Sequence, residues 1–534
     1  MLHRDATATA PRRQIYQDVL EVLLPAFVAA NLQLALMVLC ALQSTMRGVK
    51  GVKAVELLGL WRTRVLAELD HGERRAMTEA TLDFFYGMDD FCRQTTSAVS
   101  RMGLVRWIRS YCSGSGGGRT RGGAIMKDPL AHPSSSPTSS TELGSPAGAS
   151  IYADLPFPIL NPFKPWIVLR SVLLTSVRAE SLSSSKPVWI TFSSANDAQR
   201  RSRKGGQKES PSPPSAHEEK FYSFLYKRES AMRDQLMCIS SRLLQWLLRN
   251  EIGDRVEIGN YSVLPLSDRS ALIEHLEGYA LSKLPGVANG NLALVTYLAQ
   301  RGEAAQVNFL ASAKLFLLLN YIFSIGDRHQ GNVMMSPVGA ILHIDFGYIF
   351  SEKTLVEKIA GTTMRVDSQL LSAVAFCRRA AAMAMTTASS DLPNDPSLDS
   401  SVGSDNNSLV MDNEGFFKEA AEWFLQVRPH AALFYELWRY AVRCQTLPFD
   451  ERNLATIFNT LFDRSVSRES SADNFLRIME HSINVCRLKD VTHSSVQAFR
   501  SYTDYVTRCV SETPSGVKRF FEYVWSHLNL SSIS

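Results

Sequence analysis

Three observations on the sequence predict an α+β fold. From about residue 14 to 112, apolar residues recur at helical spacing almost without a break. Between about 154 and 276, short apolar runs of strand length are separated by Ser-, Pro- and Gly-rich turns. From Phe309 onward the helical period returns, interrupted by one pair of short apolar runs around a Pro/Gly turn. The chain has 534 residues, 45% of them hydrophobic and 20% charged. That is ordinary globular composition, with room for roughly two to four domains. The net charge of +5 is too mild to argue for nucleic acid. Eight cysteines without a CxxC pair give neither a zinc site nor a disulfide framework, and they suit a reducing compartment.

Taken in order, residues 1 to about 14 read as disordered. The helical region that follows includes Leu23 to Leu42, about long enough to cross a bilayer core of ~30 Å. Pro25, Asn31 and Gln33 interrupt it, and Asp18 and Glu21 precede it, which suits a buried helix better than a membrane span. Residues 113 to 150 are Gly-, Ser- and Pro-rich and form a low-complexity linker. Apolar character resumes at Asp154, and strands are expected at Trp166 to Leu174, Val188 to Phe192 and Phe221 to Tyr226. The turn Ser183-Ser184-Ser185-Lys186 offers hydroxyl and backbone donors plus one charge. Residues 193 to 218 form a polar insertion whose basic run, Arg200 to Lys208, suits a solvated loop or a contact with anionic headgroups. Lys227 ends the third strand, and an amphipathic helix runs from Arg233 to Leu248 with Asp234 in its first turn. A broad apolar helix is expected from Phe309 to Ile325, and another helix from Ser368 to about Ala388. A polar insertion follows at 389 to 413, with helices resuming at Phe416, Ala431, Ala455, Ser471 and Ser494. Gly516 to Leu528 has the residues of an amphipathic helix, for a membrane surface or for the core.

The chemistry is concentrated between Gly326 and Gly347. Val333-Met334-Met335 and Ala340 to Ile344 flank the turn Ser336-Pro337-Val338-Gly339, the pattern of a β-hairpin. Asn332 stands just before its first strand and Asp345 just after its second. A hairpin returns its far end to its near end, so these two oxygen-bearing side chains leave at one edge. Mg²⁺ prefers such hard oxygens and needs one or two from protein when nucleotide phosphates supply the rest. Asp327 precedes Asn332 by five residues, the offset of acid and amide in the protein-kinase catalytic loop. An acid near an attacking hydroxyl and two metal ligands are the minimum parts for phosphoryl transfer.

Asp327-Arg328-His329 with Asn332, followed by His343-Ile344-Asp345-Phe346-Gly347, resembles the phosphatidylinositol 3-/4-kinase superfamily. The resemblance implies a bilobal, protein-kinase-like fold of the lipid-kinase type, with a mainly helical C-lobe and a helical N-terminal region. It divides the chain into a helical region 1–112, a linker 113–150, an N-lobe 151–284 with the insertion 193–218, and a C-lobe 285–534 with the insertion 389–413 and C-terminal helices. It implies ATP as phosphate donor and Mg²⁺ held by Asn332 and Asp345. Asp327, Arg328 and His329 become the catalytic residues, with a structural role the alternative for His329. Ser183, Ser184, Ser185 and Lys186 fall at the phosphate-binding loop, and Lys227 and Asp234 at the lysine and acid that grip nucleotide phosphates. Tyr261, Ile273, Glu274, Leu276 and Ile344 fall at the adenine slot and its hinge.

The chain departs from the family after Lys227. Lys-x-Gly-Asp-Asp-Leu-Arg-Gln-Asp-Gln is expected, and Lys227-Arg228-Glu229-Ser230-Ala231-Met232-Arg233-Asp234-Gln235 is found. The segment Tyr348 to Asp367 should choose the substrate. It has no dense basic cluster, which argues against extra phosphates on the inositol and for plain phosphatidylinositol. Gly347-Tyr348-Ile349 and Met364-Arg365-Val366 look most like the class III phosphatidylinositol 3-kinases. The resemblance implies a cytoplasmic protein, peripherally associated with endosomal or other internal membranes, with a regulatory protein subunit a possible partner. A 4-kinase, a related Ser/Thr protein kinase and a catalytically weakened scaffold are the alternatives.

Overall fold

The computed structural model describes residues 31–48, 52–69, 72–94, 100–114, 151–179, 187–196, 219–285, 292–350, 352, 364, 366–389, 406–443, 447–463 and 465–483. Helices and antiparallel sheet form two compact units, in keeping with the α+β expectation.

One unit comprises the described residues up to Gln235 together with Tyr261–His275. Its helices are α1 (Leu32–Gly48), α2 (Val52–Glu68), α3 (Glu73–Gln94) and α4 (Arg101–Cys112). Its six strands are β1 (Tyr152–Leu160), β2 (Val168–Ala179), β3 (Val188–Ser193), β4 (Phe221–Lys227), β5 (Val263–Ser267) and β6 (Ser270–Glu274). They lie in the order β1-β2-β3-β4-β6-β5, each pair antiparallel. The strand β1 contains Pro156 and Pro158, which cannot donate to a ladder. It lies at the edge of the sheet, and its register with β2 shifts between Asp154 and Ile159, a position that tolerates proline.

The helices and the sheet share one apolar core. Phe84 of α3 meets Phe192 of β3 edge-on with centroids 5.5 Å apart, and Phe192 lies 5.4 Å from Phe224 of β4. The stretch expected as a buried helix enters this core through Ala35, Leu39 and Cys40; residues 23–30 of that stretch lie outside the described residues.

A buried polar knot joins the same elements. The Asp89 carboxylate is fully buried and accepts from Arg47 at 3.0 Å and from the Tyr226 hydroxyl at 2.8 Å. The Arg47 guanidinium lies 4.4 Å over the Tyr86 ring, whose hydroxyl donates to the Cys40 carbonyl at 2.9 Å. Burial first, and then the Asp89 charge, push the Tyr226 phenol far above its ordinary range, so it remains a donor. A buried carboxylate that loses a donor keeps its desolvation cost. Tyr226→Phe should therefore destabilise the protein by about 1.5–3 kcal/mol. Urea unfolding would show a lowered midpoint; an unchanged midpoint would refute the importance of this bond.

The other unit comprises Leu236–Asn260 and the described residues from Leu276 onward. The helix α5 (Met232–Leu247) matches the expected amphipathic helix to within one residue. A three-stranded sheet, β7 (Tyr279–Ala280), β8 (Val333–Met335) and β9 (Ile341–His343), is ordered β7-β8-β9. The helices are α6 (Ala293–Ala299), α7 (Gly302–Phe323), α8 (Ser368–Ser389), α9 (Asn406–Val427), α10 (Ala431–Arg443) and α11 (Glu451–Leu461), and residues 468–483 are also helical. Among the described residues α7 alone is long and apolar enough to cross a membrane, but most of it is buried in the protein, as befits a core helix. The expected polar insertion at 389–413 overlaps α9. The helix opens at Asn406 rather than Phe416, so its first turns mix Asn, Ser and Asp with Leu409-Val410-Met411. The expected helices at Ser494 and Gly516 lie outside the described residues.

Behind the hairpin, Phe323 of α7, Phe350 and Trp438 of α10 pack with centroids 5.0–5.9 Å apart, and the Trp438 Nε1 donates to Ser240 of α5 at 3.0 Å. These rings fix the chain on both sides of the hairpin.

Candidate active site

The predicted hairpin is present, with Val333 opposite His343, Met334 opposite Leu342 and Met335 opposite Ile341. Its turn is set by Gly339, whose φ is +88°. A Cβ there would lie 2.3 Å from the Ala305 carbonyl oxygen, so the close packing of turn on α7 requires glycine. Tyr297 and Asn308 hold the same turn from outside, through the Ser336 and Val338 carbonyls at 3.0 and 2.9 Å.

At the mouth of the hairpin the Ile344 N–H donates to the Asn332 carbonyl at 3.1 Å, which places Asn332 and Asp345 side by side as the sequence predicts. Asn332 Nδ2 donates to the Asp327 carbonyl at 3.0 Å and lies 3.4 Å from its carboxylate. The amide thus turns Oδ1 away from Asp327. Asp327, His329 and Asn332 are half-buried and Asp345 is exposed. Asp327 and Asp345 both have left-handed backbone, with φ of +55° and +61°. Side chains other than glycine, Asn and Asp rarely adopt that conformation, and such residues gather at functional sites.

Arg328 explains how the two acids keep their places. It is buried, and its guanidinium binds main chain. Nε donates to the Gly326 carbonyl at 2.8 Å, and Nη1 to those of Asn332 at 3.1 Å and Ile344 at 2.8 Å. Nη2 donates to the Asp345 carbonyl. One planar fork therefore ties the loop bearing Asp327 and Asn332 to the strand end bearing Asp345. Expected among the catalytic residues, Arg328 is committed to backbone, in the geometry of a positioning residue.

The loop is also closed by pairing of Gly326 N–H with the Tyr348 carbonyl at 2.9 Å and Phe350 N–H with the Phe323 carbonyl at 2.7 Å. His329 Nδ1 accepts from the Gly331 N–H at 3.0 Å, so in the neutral ring the proton sits on Nε2. His343 was not a candidate from sequence, yet it underlies the site. Its ring stacks on Phe316 with centroids 3.7 Å apart, and Nε2 meets the Phe316 carbonyl at 3.0 Å. Burial, and next the Arg328 charge, hold this imidazole well below the ordinary histidine range, so it is neutral.

In the sheet unit, Lys227 stands opposite Ala271, Leu225 opposite Ile273 and Phe224 opposite Glu274. Lys227, Ile273 and Glu274 thus lie on two adjoining strands. The Lys227 ammonium is 3.0 Å from Glu229, a residue the sequence reading passed over. Asp234 is buried in the first turn of α5. Tyr261 and Ile273 are buried, Ile344 and Leu276 half-buried. The Glu274 carboxylate pairs with Lys164 at 2.8 Å, and its N–H with the Ser262 carbonyl at 2.9 Å. Ser183, Ser184, Ser185 and Lys186 lie outside the described residues, as does most of the substrate segment from 351 to 365.

Among the described residues no group of three or more His, Cys, Asp or Glu side chains is placed to hold a metal ion. Asn332 and Asp345 fit a cation that takes part of its shell from a phosphate ligand, since both donors are hard oxygens at one hairpin mouth.

The Phosphatidylinositol 3- and 4-kinase family matches residues 299–374, which span α7, the loop, the hairpin and the start of α8. The chain is similar to a phosphatidylinositol 4-kinase of Dictyostelium discoideum, 34% identical over 100 residues, 17% of this chain and 8% of that protein. It is 31% identical over 139 residues to phosphatidylinositol 4-kinase beta of Xenopus laevis, 24% of this chain and 17% of the relative. It is 29% identical over 140 residues to phosphatidylinositol 3-kinase VPS34 of Saccharomyces cerevisiae, 24% of this chain and 16% of the relative. The matches thus span less than a fifth of the length of these curated relatives. They include both 3- and 4-kinases, so the resemblance read from the catalytic loop holds at the level of the superfamily.

Proposed function

We propose, from a catalytic segment of the phosphatidylinositol 3- and 4-kinase type, that this chain is a bilobal lipid kinase. It transfers the γ-phosphate of ATP to an inositol hydroxyl of phosphatidylinositol. The observation that carries this reading is the Arg328 fork, which locks the Asp327, Asn332 and Asp345 loops into one preorganised edge. Phosphoryl transfer depends on positioning and charge stabilisation rather than on covalent chemistry by the protein, and a rigid cluster of oxygens serves that need.

In this reading Asp327 accepts the proton of the lipid hydroxyl. His329 presents a donor at Nε2 to a γ-phosphate oxygen. Lys227 and the Ser183–Lys186 turn bind the nucleotide phosphates. Tyr261, Ile273 and Ile344 wall the adenine, with the backbone near Glu274 and Leu276 at its edge. Asn332 and Asp345 hold Mg²⁺, which screens the charge of the transferring group. The lipid is met at the surface of an endosomal or other internal membrane.

The 3-position is favoured by Gly347-Tyr348-Ile349 and Met364-Arg365-Val366. The 4-position is the second reading, supported by the similarity to 4-kinases. Incubation with Mg-ATP and phosphatidylinositol vesicles or a Ser/Thr peptide, with headgroup analysis of the product, tests this. Label at the 3-hydroxyl is expected. Label at the 4-hydroxyl would select the second reading, and label in the peptide alone would overturn the lipid-kinase reading.

A further inference from the structure

Lys227 ends β4, a strand hydrogen-bonded on both sides by β3 and β6, so its Cα has a fixed place. The side chain is only 14% exposed, and its ammonium lies 3.0 Å from Glu229, whose side chain is 41% exposed. The family pattern puts two acids in this loop, at the places of Ser230 and Ala231. Here both are gone, and Ala231 is buried. Glu229 occupies the place of the glycine. A mostly buried ammonium needs a partner. Within the loop, the acid beside it is Glu229, two residues after the lysine.

We propose that Glu229 is a positioning residue that holds the Lys227 ammonium for nucleotide phosphate. An ammonium has three donors, so one can remain on the Glu229 carboxylate while others turn to phosphate oxygens. The carboxylate is partly solvated and on a short bend, so holding it costs little desolvation. This arrangement reproduces in a loop what protein kinases achieve with a lysine on a strand and an acid on a helix.

The proposal rests on the kinase reading, and the test separates the two. Mg-ATP is titrated against the full-length protein while melting temperature and lipid phosphorylation are followed. Glu229→Ala should raise the half-saturating Mg-ATP concentration by about tenfold, the loss expected for one charge-assisted contact. The melting temperature without nucleotide should fall only slightly, because the Glu229 end of the pair is partly exposed and water can take the place of the carboxylate beside the ammonium. Glu229→Asp should recover part of the affinity. A purely structural role would lower the melting temperature without nucleotide and leave the half-saturating concentration alone, overturning the proposal. Equal or tighter Mg-ATP binding by Glu229→Ala would also overturn it and make Glu229 a competitor of phosphate. No Mg-ATP response in the unmodified protein would overturn the kinase reading itself, and this proposal with it.

Discussion

Asp345→Asn should lower phosphoryl transfer by about a thousandfold, near the upper end for removal of one preorganised electrostatic group. The substitution is chosen for its backbone. Asp345 has φ of +61°, a conformation that Asn tolerates and most other side chains do not. Asn also retains an oxygen for the Gly347 N–H, which lies 3.4 Å from Asp345 Oδ1. The side chain is exposed, so its charge is not needed by the core. The variant should therefore keep its melting temperature and circular dichroism while losing turnover, and raising Mg²⁺ should restore only part of the rate. A variant with near-normal turnover would remove Asp345 from the metal-holding role and leave Asn332 without its partner ligand.

The edge where Asp345 sits was legible because the hairpin that forms it is specified locally. Two apolar runs, a Pro/Gly turn and a polar residue at each outer end suffice to define the hairpin and bring Asn332 to Asp345. Other features depend on partners far away in sequence. The Asp89 carboxylate meets the Tyr226 hydroxyl across 137 residues, so the N-terminal helices gave no sign that they share a core and a buried charge with the strand that carries Lys227. The strand β1 was masked by Pro156 and Pro158, which local propensity excludes and an edge position accepts. The first turns of α9 were hidden by the Asn, Ser and Asp residues around Leu409-Val410-Met411, which read as a continuation of the polar insertion. Glu229 could have been found. A charged side chain in place of a family glycine, two residues after the candidate lysine, is a local signal.

Arg328 was the residue least open to sequence reasoning, because its partners are carbonyl oxygens that every residue possesses. Its substitution should nevertheless have the widest effect. The guanidinium binds the carbonyls of Gly326, Asn332, Ile344 and Asp345 from a buried position. Arg328→Met fills much of the same volume but strands these acceptors, and each one left buried without a donor costs about 1–3 kcal/mol. Relaxation and water will recover part of this, so a loss of about 3 kcal/mol is expected, with a lower urea midpoint.

Arg328→Lys separates stability from catalysis. An ammonium keeps the charge and can satisfy one or two of the carbonyls, but it has no planar fork with which to hold the Asn332 and Asp345 backbones at once. A shift of about 1 Å between catalytic groups costs on the order of a hundredfold in rate. Arg328→Lys should accordingly melt closer to the unmodified protein than Arg328→Met does, yet lose about a hundredfold in turnover at saturating Mg-ATP. If Arg328→Lys turned over normally, charge alone would suffice at this position. The loops bearing Asp327, Asn332 and Asp345 would then owe their alignment to the hairpin and to the Phe323, Phe350 and Trp438 packing behind it.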